Sequence, residues 1–229
     1  MRGVKLFVTT IALAVVSAGS AAKAPETWDG LVQVKAKKLA LAYLRPGADF
    51  RAYSKVMFDA PEVAFSKDWQ RDFNRSTMSL AGRISDSDVR DAVEQAKKSA
   101  ANIFPERFAQ EGFQVAAAPG PDVLRVSVGI VDLRVNAPDR NLSARSRTYS
   151  MDAGEATFVL EVRDSLTNQL LGRALDQREA GEGPAYRRTY SSNVGDFEAL
   201  FDNWARAAAR GLNELKAASP VNTEGIRKQ

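Results

Sequence analysis

Between Gly154 and Ala180 the chain alternates with period two for long enough to define one element of whatever fold it adopts. From Gly154 to Arg163, Ala156, Phe158, Leu160 and Val162 alternate with Thr157, Val159, Glu161 and Arg163. Successive strand side chains point to opposite faces, so one face is wholly apolar and the other mixed. Asp164, Ser165, Thr167 and Asn168 follow. Their short polar side chains bond their own backbone in turns, and Asn tolerates positive φ. The returning arm carries Leu171 and Leu175, then turns charged at Asp176, Arg178 and Glu179. The pattern predicts a long antiparallel hairpin with one face committed to a core. Such a scaffold names no chemistry.

Two amphipathic helices are predicted to cover that core. Ser85 and Asp88 form a capping-box pattern ahead of Val89, Ala92, Val93, Ala96, Ala100, Ile103 and Phe104. Pro105 should kink or restart this helix, and Glu111-Gly112 ends it. Asn193 with Asp196 opens the second, whose stripe runs through Phe197, Leu200, Phe201, Trp204, Ala205, Ala208, Leu212 and Leu215 to Ala218. Further strands are expected at Lys55–Phe65, interrupted or placed at an edge by Pro61, at Phe113–Ala118, and from Asp122 onward. In the last, Leu124, Val126, Val128 and Ile130 share a face, but the phase flips to Leu133 and Val135 beyond Asp132. That flip predicts a bulge near Val131. The whole reads as α+β: an antiparallel sheet of about four to five strands covered by two main amphipathic helices.

The start of the chain carries a different signal. Arg2 and Lys5 precede the apolar run Leu6 to Val16, and small residues continue to Ala22. This is the pattern of a secretory signal peptide, with cleavage after Ala22; the alternative cut after Ala24 would leave Pro25 directly behind it. A run this short cannot span a bilayer core of about 30 Å, and no later segment is apolar enough to cross one. The expected organisation is a signal peptide at 1–22, a partly extended segment at 23–50, a single α+β domain at 51–218 and a fraying tail at 219–229. The mature chain is expected in the periplasm or secreted.

Composition then excludes much chemistry. The chain has no histidine and no cysteine. A Ser-His-Asp triad, a Cys-His pair, a histidine zinc site and a disulfide framework are therefore all excluded. Removing residues 1–22 takes Arg2 and Lys5 and no acid, so the formal charge of +4 falls by two. Nucleic acid is not an expected partner at that charge. No metal and no cofactor is expected: the glycines form no phosphate-binding loop and the acids no calcium loop.

Two acidic groupings are candidates for catalysis, Asp152 with Glu155 and Asp132 with Asp139. A hydrolase acting on a cell-wall or polysaccharide substrate needs two carboxylates held about 5–10 Å apart, and nothing in the spacing fixes that. The stronger candidates are two basic, tyrosine-bearing loops that flank the hairpin. One holds Arg140, Arg145, Arg147 and Tyr149; the other holds Tyr186, Arg187, Arg188 and Tyr190. Arg and Tyr are enriched in binding hot spots, and Arg grips phosphate or carboxylate bidentately. The plainer reading of both is solvated loops. Lys35, Lys37 and Lys38 likewise suit anionic lipid or peptidoglycan, or simply a solvated face.

Several stretches resemble one family. They are Tyr43-Leu-Arg-Pro-Gly-Ala48, Val56 to Trp69, Asp122-Val-Leu-Arg125, Val135-Asn-Ala-Pro-Asp139, Gly154-Glu-Ala156 and Arg163-Asp-Ser-Leu-Thr167. Together they resemble the exported proteins of Gram-negative bacteria, often lipoproteins, grouped as domain of unknown function 3313. The resemblance runs from Leu41 to Leu215. It implies an envelope location and brings no catalytic residues. Without cysteine the lipid anchor of lipoprotein relatives cannot form here. The expected function is a non-enzymatic binding or accessory module, with an envelope protein or an anionic envelope component as partner. The alternative is the paired-carboxylate hydrolase, and the oligomeric state is open. Mass spectrometry of the protein from its native cell should show a chain that begins at Lys23 and carries no lipid. An intact Met1 would contradict this.

Overall fold

The computed structural model describes residues 24–77, 80–136, 149–150, 152–181, 186–187 and 189–222. In chain order the elements are β1 (Thr27–Trp28), β2 (Leu31–Val34), β3 (Leu41–Leu44), β4 (Lys55–Phe58), β5 (Glu62–Phe65) and α1 (Trp69–Ser76). Then come α2 (Asp86–Gln110), β6 (Gln114–Val115), β7 (Val123–Val135), β8 (Tyr149–Ser150), β9 (Gly154–Asp164), β10 (Leu170–Ala180), β11 (Tyr186–Arg187) and α3 (Tyr190–Ala218).

The predicted hairpin is β9–β10, with Leu160 opposite Ala174 and Phe158 opposite Asp176. Its turn is held by Asp164, whose Oδ1 accepts from Leu166 N (3.1 Å), Thr167 N (2.7 Å) and Thr167 Oγ1 (2.7 Å). Asn168 sits at φ +58°, as a turn of this kind requires. The Tyr53 hydroxyl donates to the other Asp164 oxygen at 2.8 Å. The Thr167 amide and these hydroxyls hold the Asp164 carboxyl below the ordinary carboxylate range. Burial and the bond to Asp164 push the Tyr53 phenol up to about 12.

The sheet is larger than the alternation implied, and it is mixed. Nine strands pair in the order β1-β2-β3-β10-β9-β7-β4-β6, with β5 also paired to β7. This corrects the expectation of an antiparallel sheet of about four to five strands under two helices; three α-helices are present among the described residues. Two causes account for the difference. The 25-residue helix α2 is a crossover long enough to bring β6 and β7 back parallel to β4. The strands β1 to β3 are only two to four residues long and show no sustained alternation. They join the sheet through β3, which pairs antiparallel with β10, and charge and aromatic contacts on the sheet's second face add to that pairing. Glu161 Oε1 accepts from Arg173 Nε (2.9 Å) and Nη2 (2.6 Å), and the Arg173 guanidinium lies 4.0 Å over the Trp28 ring. Trp28 in turn meets the buried Tyr43 edge-on at 5.7 Å.

The chain between β4 and β5 is interrupted at Pro61 as expected, and both pieces pair in parallel with successive parts of β7. The predicted bulge is also present: the β7–β9 register slips between Val131 and Arg134, with Asp132 at φ +50°. Opposite it, Gly154 has φ +147°, and a Cβ there would fall 1.9 Å from the Arg134 carbonyl oxygen. No side chain fits.

Helix α2 opens on the expected capping box, Ser85 with Asp88, and runs on through Pro105 instead of restarting. Phe104 and Phe108, buried on either side of that proline, keep the helix seated on the sheet. Helix α3 starts at Tyr190, three residues earlier than the Asn193 pattern implied. Thr189 Oγ1 accepts from Ser192 N (3.1 Å) and Ser192 Oγ accepts from Thr189 N (2.9 Å), a Thr-Ser version of the capping box. The chain after α3 does not fray at once. Phe50 N donates to Ser219 Oγ (3.0 Å), and Val221, buried, exchanges backbone bonds with Gly47 and Ala48 (3.1 and 2.9 Å).

Both long helices converge on Phe158. Phe104 of α2 stacks on it at 5.5 Å and Trp204 of α3 at 5.2 Å. Trp204 is fully buried, and its Nε1 donates to Asp176 Oδ2 at 2.9 Å. Among the described residues no helix is long and apolar enough to cross a membrane. Trp204→Ala should cost about 3–5 kcal/mol in chemical unfolding, the range for truncating a buried aromatic. A loss below about 1 kcal/mol would mean that α3 is not packed there.

Candidate functional site

Phe65, Trp69 and Phe73 lie four residues apart, and the first two line a cavity. Phe65 ends β5, Trp69 begins α1 and Phe73 follows one turn on. Phe65 and Trp69 stack at 4.5 Å, and Trp69 and Phe73 approach to 6.0 Å. The indole Nε1 donates to the Val135 carbonyl at 3.3 Å, which fixes the ring over the end of β7. Helix α1 is clamped to the start of α2 by Asn74, which accepts from Ile84 N (2.7 Å) and donates to Ile84 O (2.8 Å).

Between α1, the N-terminal half of α2 and the N-terminal half of α3 lies a cavity of about 380 Å³. Phe65, Trp69, Val89, Ala92, Ala96, Val194, Phe197 and Phe201 make it mainly apolar. Its polar lining comes from Asp88, Asp91, Gln95, Ser99, Asn193 and Glu198. Ser99, buried, donates to Glu198 Oε1 at 2.6 Å and ties α2 to α3 at this wall. Asp88 accepts from the Ser85 amide at 2.7 Å as part of the helix cap.

The structure brings the roots of the two basic loops to this end of the molecule. Val135, in the cavity wall, leads into the first loop, and Tyr190, exposed at the cavity, follows the second. Strands β8 and β11 pair with each other, Tyr186 opposite Ser150 and Arg187 opposite Tyr149. Of the residues proposed from sequence, Tyr149, Tyr186, Arg187 and Tyr190 are thus gathered by the backbone. Arg140, Arg145, Arg147 and Arg188 lie outside the described residues. The cavity-lining positions of α2 were read from sequence only as a helix stripe. A stripe that faces a gap has the same spacing as one that faces a neighbour.

Two of the four acids proposed for catalysis have structural partners. Asp152 accepts from Asn136 Nδ2, and Glu155 pairs with Arg134 at 3.4 Å. Asp132 occupies the bulge of β7, exposed, and Asp139 lies outside the described residues. Among the described residues no three His, Cys, Asp or Glu side chains group as a metal site.

Residues 22–208 match the model of a protein family of unknown function, DUF3313. The chain belongs to that family. The match confirms the resemblance drawn from the sequence motifs. No individual curated sequence matches the chain. Among solved structures, a PelC dodecamer from Paraburkholderia phytofirmans shares 11% identity at a TM-score of 0.37, covering 72% of this chain and 96% of that one. A DUF330 protein from Xanthomonas campestris shares 11% identity at 0.36, with 82% and 97% covered. A DUF4136 protein from Bacteroides thetaiotaomicron shares 11% at 0.35, with 82% and 98% covered. At such scores the likeness bears on neither the ligand nor the assembly of this DUF3313 chain.

Proposed function

We propose that this DUF3313 protein is exported to the cell envelope and acts there by binding rather than by catalysis. The observation that carries the reading is the apolar cavity of about 380 Å³ at the end of the sheet where both basic loops are rooted. Its volume falls within the range of about 300–1,000 Å³ that small-molecule sites occupy. The aromatic and aliphatic walls suit an apolar ligand body. The carboxylates of Asp88, Asp91 and Glu198 suit a ligand that also carries hydrogen-bond donors. The signal-peptide pattern supports export, and the lack of histidine and cysteine supports binding over nucleophilic or acid–base chemistry. The loops carrying Arg140, Arg145, Arg147, Tyr149, Tyr186, Arg187, Arg188 and Tyr190 would form a recognition edge for an anionic envelope component beside the cavity.

One set of variants tests both parts. The neutral apolar dye Nile red should bind the parent protein, and Ala96→Phe, which fills the cavity, should weaken binding at least about tenfold with thermal unfolding preserved. Unchanged binding in that variant would contradict the cavity assignment. Replacing Arg145, Arg147, Arg187 and Arg188 together by Ser should leave stability within about 0.5 kcal/mol. It should abolish salt-sensitive binding to an anionic cell-wall polymer. Equal binding by parent and variant would remove the loops from the function.

A further inference from the structure

A second cavity, on the other flank of α3, has the opposite electrostatic character. It has a volume of about 440 Å³ and lies between the C-terminal half of α3 and the strands β2, β3, β9 and β10. Its interior is apolar: Val34, Leu44, Leu160, Val162, Leu212 and Leu215 are among its walls. Its charged lining is mostly cationic. Lys35, Lys37, Lys38 and Arg210 stand at it with Glu214 as the single acid. Arg173 also contributes to the lining, but its guanidinium is engaged on the sheet's second face by Glu161 and Trp28. Arg210 is paired to Glu111 at 2.8 Å, outside the cavity lining.

The connection between β2 and β3 lies across this cavity as a strap. On the β10 side it is held by one partly buried bond to the buried Asp176 and by one exposed bond. Ala40 N donates to Asp176 Oδ1 at 3.0 Å, and Arg178 Nη2 donates to the Lys38 carbonyl at 2.6 Å. On the α3 side it is held by Lys37 to Glu214 at 3.2 Å, with side chains 77% and 59% exposed. An ion pair that open to water is weak and easily exchanged for another anion. The strap is therefore firm at one end and releasable at the other. Three of its residues are lysines, and the pair that latches it offers an ammonium group to any competing carboxylate.

We propose that this cavity binds an anionic single-chain amphiphile. The alkyl chain would lie between α3 and the sheet, and the head group would replace Glu214 as the partner of Lys37 while Lys35 and Lys38 flank it. Charge complementarity selects the ligand: an apolar interior alone would accept any chain, but a rim with three lysines and one acid favours an anionic head. The site is distinct from the cavity between α1, α2 and α3, whose carboxylates disfavour the same ligand.

Dodecanoate is a direct probe, with dodecanol as the uncharged control and phosphatidylglycerol vesicles as the membrane control. Dodecanoate should bind with one-to-one stoichiometry in calorimetry, more weakly as salt rises. Lys35→Ser, Lys37→Ser and Lys38→Ser together should weaken it at least about tenfold and flatten the salt dependence. Gly211→Leu should abolish it. A Cβ at Gly211 meets nothing within 4 Å and Gly211 lines the cavity, so the leucine occupies the space without displacing the fold. Ala96→Phe should leave dodecanoate binding intact, which separates this site from the first. The proposal is overturned if the parent does not bind dodecanoate, or if dodecanol binds equally well at every salt concentration. It is also overturned if the lysine variant binds like the parent, or if only the vesicles are bound. Should Gly211→Leu fail to fold, the lysine variant still decides.

Discussion

The structure depends on one buried carboxylate. Asp176, on β10, is 6% exposed, and a charge so placed must be surrounded by donors or destabilise the fold. It receives them from three separate segments: the Trp204 indole of α3 at 2.9 Å, the Ala40 amide of the β2–β3 connection at 3.0 Å, and Arg178 of its own strand at 2.6 Å. The same Trp204 stacks on Phe158, which stacks on Phe104. A single polar anchor and a run of three aromatic rings thus set where α3 lies, and through Phe104 where α2 lies beside it.

The placement of α3 in turn defines both cavities. Its N-terminal half stands away from α2 at Val194, Phe197 and Phe201, which leaves the first. Its C-terminal half stands away from β2 and β3, which leaves the second. The two flanks differ in charge because different segments close them: α2 brings acids to one and the lysine-bearing strap brings cations to the other.

Local pattern carried the elements whose geometry is local. The β9–β10 hairpin, its Asp164–Asn168 turn, the break at Pro61, the phase slip near Val131 and the cap at Ser85 each arise from residues adjacent in sequence. What local pattern could not carry was pairing between distant segments. The strands β4 and β5 join β7 in parallel, and β6 joins β4, because α2 spans the crossover, and nothing within Lys55–Phe65 records those partners. The strands β1 to β3 join through the pairing of β3 with β10, and Arg173 and Glu161, 12 residues apart on β10 and β9, meet Trp28 beside it. The site shows the same division. Tyr190 and the aromatic series from Phe65 were visible as residue types with a spacing. The cavities were not, because a gap between helices has no sequence signature of its own.

Asp176 couples α3 to the strap over the second cavity. Amide hydrogen exchange on Asp176→Asn tests it most directly. The substitution keeps the shape and one acceptor oxygen, but removes the charge and turns the other position into a donor. One donor then faces an NH2 group and the other a neutral oxygen in place of a charged one, so the Ala40 amide and the Trp204 indole N–H, on segments far apart in sequence, should both exchange faster. The fold should lose about 1–3 kcal/mol of stability, the cost of leaving a buried donor without its acceptor. If neither proton is affected, the carboxylate does not join these elements and α3 is not placed by Asp176.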